Sequence, residues 1–334
     1  MKKFVVLFAI FLFFLFTGYI YKEYTGDFIV GKKNTSMESS HYPVTIETYN
    51  SSGEKIKQVF AKKPNRVVTH ELNTFETLVA LGQADTVVAT SVNQNGMAWK
   101  RMMDKYPQEL KKAQIIDNYE PNAEGVLVAN PDLIIGWKST FTSVLKKSTE
   151  WWNSRGVRTY IVSTSNHMTN KGTIADECQY LQDMGKIFNV EEKTNQMVSD
   201  IKDEIDNTRR QIKDRQPQKT IVIEMSGKAF MNYDNGWVVG DMVEQLGGHM
   251  PVKSKRIGYE DLISEDPDVI FVVYFNEEGR LQIIDLFKEA GFSSLRAVKE
   301  ARVYPIPFDH MYTPATKTIE GLRMIKKGLY PDLN

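Results

Sequence analysis

The sequence predicts an α/β protein of two Rossmann-like lobes joined by a single long backbone helix, with a ligand cleft between the lobes. Three observations carry this. The stretch from Thr173 to Arg215 is almost free of turn residues and is patterned for helix. Leu181, Met184, Ile187 and Phe188 make one apolar stripe, which Met197, Ile201, Ile205 and Ile212 continue. The chain on its two sides repeats. Seven residues after Glu124 of Ala123-Glu124-Gly125 comes Pro131-Asp132-Leu133-Ile134-Ile135, and seven after Glu260 of Tyr259-Glu260-Asp261 comes Pro267-Asp268-Val269-Ile270-Phe271. Each copy reads as helix, Pro-Asp turn and buried strand. Upstream of each lie another strand (Arg66 to Thr69; Thr220 to Glu224) and a short helix closing on Leu-Gly (Leu81-Gly82; Leu246-Gly247).

At 334 residues the chain is long enough for two such lobes. Lys and Arg number 42, as do Asp and Glu, and no dense basic block stands in the body, so nothing argues for nucleic acid. The one cysteine, Cys178, sits in a helical stripe as a small apolar residue, which excludes disulfides and thiolate metal sites. Met1-Lys2-Lys3 followed by an unbroken apolar run from Phe4 to Phe16 reads as a signal peptide or signal-anchor over residues 1–21. No clear cleavage site and no lipid-acceptor cysteine follow, so a retained anchor is preferred over cleavage, and the body is extracytoplasmic either way. Residues 22–41 are polar and read as a tether. The N-terminal α/β lobe is placed at 42–172, the linking helices at 173–216 and the C-terminal α/β lobe at 217–334.

Taken in order, Tyr42 to Val59 alternates about Ser52-Gly53 as a hairpin. Arg66 to Thr69 is the first buried strand, Asn73 to Leu81 an amphipathic helix closed by Gly82, and Thr86 to Thr90 the next strand. Leu133 to Trp137 and Thr159 to Val162 follow. Thr173 with Asp176 forms a capping box at the start of the long helical stretch. Gly185 and the turn at Ile187 to Val190 split that stretch in two, the second helix running from about Glu191 to Asp214. Pro217 then biases Gln216 away from helix. The second lobe restarts at Thr220 to Glu224, passes through a loop with Lys228, Phe230, Tyr233 and Trp237, and forms a helix from Asp241 to Leu246. Strands at Phe271 to Tyr274 and Arg302 to Tyr304 lead to a final helix, Pro314 to Lys327.

Open parallel sheets place ligand groups in the loops beyond their carboxyl ends. That rule selects His70, Glu71, Asn73, Asn93, Gln94 and Trp99 in the first lobe, with Trp137, Lys138 and His167. In the second it selects Lys228, Tyr233, Trp237, Tyr274, Asn276, His310 and Tyr312. The aromatic members fit a pocket for a large, flat or partly apolar ligand, although each taken singly could equally be packing. Enzyme signatures (G-x-S-x-G, H-E-x-x-H, the phosphate loop, the dinucleotide loop) are missing, and the five histidines form no local metal motif. No catalytic residue and no metal ligand is therefore assigned. Glu124 and Glu260 stand apart because the repeat relates them. Each sits near a helix start, where a negative charge is favoured by ~0.3–1 kcal/mol, and together they read as matched acidic posts for arginines on a symmetric partner.

The ordered set Pro64-Asn65-Arg66-Val67-Val68, Glu76-Thr77-Leu78-Val79-Ala80-Leu81-Gly82, Glu124 with Pro131-Asp132, Leu246-Gly247-Gly248, Glu260 with Pro267-Asp268, and Arg302-Val303-Tyr304 resembles the class III substrate-binding proteins of ABC importers. Those are receptors for ferric siderophores, haem and cobalamin, and the likeness spans about Pro64 to Pro331. The resemblance implies a ferric siderophore as ligand, with no resident cofactor, and an ABC permease dimer with its ATPase as partner. It also implies that Glu124 and Glu260 meet permease arginines. The missing lipid-acceptor cysteine departs from the lipoproteins common in this family, which leaves the N-terminal helix as the membrane attachment. A monomer is expected. Haem or cobalamin, or an extracytoplasmic enzyme or sensor on the same scaffold, are the alternatives.

Overall fold

The computed structural model describes residues 41–115, 119–166, 168–227 and 229–333. The expected signal or anchor, nearly all of the tether, and the candidate ligand residues His167 and Lys228 lie outside the described residues. Among those described, no helix is long and apolar enough to cross a membrane.

The chain enters through an antiparallel hairpin, β1 (Val44–Tyr49) and β2 (Lys55–Phe60), whose turn needs Gly53 at φ 94°. The first lobe follows with β3 (Val67–His70), α1 (Leu72–Ala80), β4 (Val87–Ser91), α2 (Met97–Lys105), α3 (Ala123–Ala129), β5 (Leu133–Gly136), α4 (Thr149–Asn153) and β6 (Arg158–Ile161). Its four strands are all parallel, in the order β4-β3-β5-β6. β3 and β5 are buried along their whole length, as unbroken apolar runs covered on both faces must be.

The helical stretch breaks where Asn189 takes a left-handed conformation, giving α5 (Ile174–Phe188) and α6 (Glu191–Gln211). The capping box is present: Thr173 Oγ1 accepts from Asp176 N–H at 3.1 Å, and Asp176 Oδ2 accepts from Thr173 N–H at 2.9 Å. α5 is the backbone of the molecule. Its Ile174, Cys178 and Leu181 pack in the core of the second lobe, while Tyr180, Met184, Ile187 and Phe188 pack in the core of the first. α6, 21 residues and about 32 Å long, stops short of Asp214 because Ile212 turns into the second core.

The second lobe contains β7 (Gln218–Ser226), β8 (Ala229–Asn232), α7 (Val238–Gln245), β9 (Gly248–His249), β10 (Arg256–Ile257), α8 (Tyr259–Glu265), β11 (Val269–Tyr274), α9 (Glu277–Leu286), α10 (Arg296–Lys299), β12 (Val303–Pro307) and α11 (Thr318–Leu329). The order is β10-β8-β7-β11-β12, with β9 on the far end of β7. The expected loop after β7 is instead a strand. Gly227, at φ 65°, turns the chain straight back so that β8 pairs antiparallel with β7.

The internal repeat survives at the level of single hydrogen bonds. In the first lobe Asn130 ends α3 left-handed, and the Asp132 carboxylate accepts from Asn65 N–H at 2.8 Å and Arg66 N–H at 3.1 Å. In the second, Asp266 ends α8 left-handed, and Asp268 accepts from Lys219 N–H at 2.8 Å. Each Pro-Asp turn thus pins the strand it leads into beside the first strand of its lobe.

Candidate functional site

The carboxyl ends of β3, β4 and β5 face those of β7, β11 and β12 across a cleft that holds two adjoining cavities. One, of about 370 Å3, is lined by Glu71, Leu72, Asn73, Ser91, Val92, Asn93, Gly96, Ala98, Trp137, Phe275, Phe308 and Asp309. The other, of about 350 Å3, is lined by residues including Glu224, Tyr274, Phe275, Asn276 and Glu278. Residues from both lobes therefore meet in one space, and Phe275, 54 % exposed, belongs to both cavities.

Tyr312 organises the aromatic wall. Its ring lies 5.0 Å from Trp137 edge-on, 5.5 Å from Trp237 and 5.0 Å from Phe308 in a stack. Tyr233 extends the wall through Trp237 at 5.1 Å, and Phe275 through Phe308 at 4.8 Å. Tyr233 and Tyr312 are themselves buried, so the ring surface offered to the cavity comes from Trp137, Phe308 and Phe275. The hydroxyls behind the wall are committed. Tyr312 Oη accepts from Asn166 N–H at 2.8 Å, and Tyr233 donates to the Glu224 carboxylate. Burial, and for Tyr233 the neighbouring Glu224, raises both phenol pKa values.

The remaining polar candidates mostly hold the lobes together. Asn73 is buried; its Nδ2 donates to the carbonyls of Asp309, Tyr312 and Thr313, at 2.8 Å for the last, and its Oδ1 accepts from Lys317 Nζ at 2.9 Å. His70, only 2 % exposed, reaches Tyr119 Oη at 3.2 Å, and burial pushes its pKa down to about 4. His310 bridges Asp309 and Glu320 at 3.2 Å each. Burial alone would lower its pKa, but those two carboxylates outweigh burial and raise it. Asp309 is the centre of this group, with Arg101 at 2.7 Å and Lys317 at 3.0 Å. Its own pKa is well depressed, because the His310 bond and the surrounding cations outweigh burial.

Trp99 lies on α2 and stacks on Phe75 at 6.0 Å, packed against the first-lobe core and absent from the lining of both cavities. Lys138, half-buried, follows Trp137 but lines neither cavity. Phe275 and Phe308 were not among the sequence candidates, although they sit at the carboxyl ends of β11 and β12, where the strand-end rule would have found them. Among the described residues no three of His, Cys, Asp and Glu are disposed to hold a metal ion.

Glu124 and Glu260 stand away from the cleft, exposed in the first turns of α3 and α8. Each has large apolar neighbours in water: Leu127 and Val128 beside the first, 49 % and 78 % exposed, and Tyr259 and Ile263 beside the second. Leu127 and Ile263 hold the same offset from their glutamates.

Residues 67–310 match the family model described as periplasmic binding protein. The chain is similar to a periplasmic binding protein from Veillonella parvula, with 28 % identity, a TM-score of 0.77 and coverage of 87 % of this chain and 92 % of that one. It is also similar in fold to a siderophore binding protein bound to two molecules of acinetobactin and ferric iron, at 19 % identity, a TM-score of 0.64 and coverage of 86 % and 99 %. Among curated proteins it is 22 % identical over 299 residues, 87 % of each chain, to an uncharacterised ABC transporter substrate-binding lipoprotein of Bacillus subtilis.

Proposed function

We propose that this chain, which belongs to the periplasmic binding protein family as a class III substrate-binding protein of an ABC importer, captures a ferric siderophore outside the membrane and hands it to the permease. It is a carrier and not an enzyme. The observation that carries the ligand reading is the ring wall gathered about Tyr312 where the two lobes meet. A flat, partly apolar chelate buries well against such rings. In this reading the siderophore wraps the iron and the cleft holds the siderophore through Trp137, Tyr274 and their neighbours. The relative holding ferric acinetobactin, and another described as an Fe3+-hydroxamate transport system, support it. Haem is less well served, since the described candidates His70 and His310 are buried and already bonded within the protein.

For the partner, Glu124 and Glu260 supply one carboxylate per lobe, each beside exposed apolar side chains, a combination that fits burial against matched pockets of a dimeric permease. The receptor acts as a monomer held to the membrane by its N-terminal segment. The deciding experiment is titration of tryptophan fluorescence with a panel of ferric siderophores, haemin and cobalamin. Submicromolar quenching by a ferric siderophore supports the reading; quenching by haemin or cobalamin alone overturns it.

A further inference from the structure

We infer that the cleft selects a ligand carrying a cationic group, which sits between the Glu71 carboxylate and the ring wall. This rests on the carrier reading above and adds the charge of the cargo. Among the described residues, the charged side chains lining the two cavities are Glu71, Asp309, Glu224 and Glu278, with no lysine, arginine or histidine beside them. Asp309 is already neutralised by Arg101 and Lys317. Glu278 is exposed and bonded to Gln282, and Glu224 takes the Tyr233 hydroxyl. Glu71 is different. It is half-buried on the cavity wall, and its side chain has neither a hydrogen bond nor an ion pair among the described residues.

The backbone keeps it there. Glu71 stands at φ 76°, ψ 141°, a region that costs a non-glycine residue ~1–3 kcal/mol. Its N–H donates to Ser91 O at 3.3 Å, and its carbonyl accepts from Thr74 Oγ1 at 2.8 Å. Burial raises the pKa of its carboxyl, as expected where no counter-charge is supplied. Trp137 and Phe308 line the same cavity, and their ring faces attract cations as well. Carboxylate and rings therefore favour one sign of charge and oppose a polyanionic chelate such as a tris-catecholate.

The test uses the full-length protein in detergent with two matched sets of probes. The first is free of iron: benzyltrimethylammonium against 3-phenylpropionate, read by tryptophan fluorescence. The second compares ferrioxamine B, a trihydroxamate with one free ammonium, with its N-acetylated form and with ferric enterobactin. The expected result is tighter binding of the cation in the first set, and at least tenfold preference for the ammonium complex in the second. In folded Glu71→Gln, and in Glu71→Gly should the first variant misfold, that preference falls below threefold. Equal binding of the iron-free pair, a preference for enterobactin, or a preference that survives loss of the carboxylate overturns the inference. A cation preference in the first set with no binding of any ferric complex instead overturns the iron reading and leaves this one standing.

Discussion

Lys317 Nζ and the Glu76 carboxylate form an ion pair at 2.5 Å with both side chains almost wholly shut off from water. Glu76 lies on α1 of the first lobe, and Lys317 ends a short turn, Ala315–Lys317, whose Ala315 packs into that lobe's core before α11 returns to the second. The same ammonium contacts Asp309, so one cation balances two buried carboxylates drawn from different parts of the chain.

Lys317→Met should therefore be severely destabilising. It leaves Glu76 uncompensated and Asp309 with only Arg101 and His310, and breaking a buried pair from one side costs ~3–5 kcal/mol. Adding Glu76→Gln should recover part of the loss. Urea unfolding would measure both, and a single variant within about 1 kcal/mol of the parent would show that the pair is not what holds this junction.

The pH dependence of stability should conceal two opposed groups. Folded His70 has its pKa lowered to about 4 by burial, so its contribution is present above the unfolded value of ~6.5 and is lost as pH falls from there. Folded Glu177 is raised to about 7 by burial, against bonds from Thr164 and Ala315. Its contribution is present below the unfolded value near 4.5 and is lost as pH rises through 7. Between pH 7 and 5 each is worth about 2 kcal/mol, with opposite sign. Relative to the parent, His70→Gln should gain stability at pH 5 compared with pH 7, and Glu177→Gln should lose it. Parallel profiles for the two variants would refute the assignment.

Truncating the ring wall should weaken binding without unfolding the protein. Trp137→Ala removes half-buried aromatic surface from the cavity, and about 2 kcal/mol, or roughly thirtyfold in affinity, is the expected loss. Trp99→Ala is the contrast. Its ring stacks on Phe75 at the first-lobe core, so the variant should lower the melting temperature while ligand affinity stays within about threefold. An affinity loss at Trp99 equal to that at Trp137 would place the ligand elsewhere.

Replacing Glu124 and Glu260 together by alanine should abolish transport and leave ligand binding intact, because both are exposed on α3 and α8 and neither lines the cleft cavities. Exposed pairs contribute only ~0–1 kcal/mol, so the loss must arise when docking buries an unmatched permease charge. Val128→Asp, adding a charge to the most exposed apolar side chain of the first site, should impair docking in the same assay. Normal uptake by the double variant would reduce these glutamates to helix-end residues.

The architecture was legible because it rests on short-range signals. The repeat reads as helix, Pro-Asp turn and strand in both copies, and the structure adds the left-handed stop at Asn130 and Asp266 and the backbone acceptor at Asp132 and Asp268. The capping box at Thr173 was local in the same way. The cleft was harder to read. Asn73 and His310 carry binding chemistry in the sequence, yet each is engaged by residues distant in the chain: Asn73 by the carbonyl of Thr313, His310 by Asp309 and Glu320. Nothing local marks a polar side chain as already occupied. Phe230 reads as a loop residue in the sequence because β8 is only four residues long and owes its existence to the Gly227 turn, whereas Tyr233 and Trp237 do lie in the connection beyond it.

The junction that joins Arg101, Glu76, Asp309 and Lys317 has a consequence for how loading is signalled. A wide swing of the lobes would strain the pair of Lys317 and Glu76, both shut off from water, and separating such a pair costs ~3–5 kcal/mol. α5, anchored in both cores, adds a rigid strut to the same effect. On the proposed reading, the separation of the two glutamate-bearing helices changes little on loading. In the carrier reading proposed above, the importer tells full from empty by what lies in the mouth of the cleft, and little of the free energy of capture goes into moving the jaws.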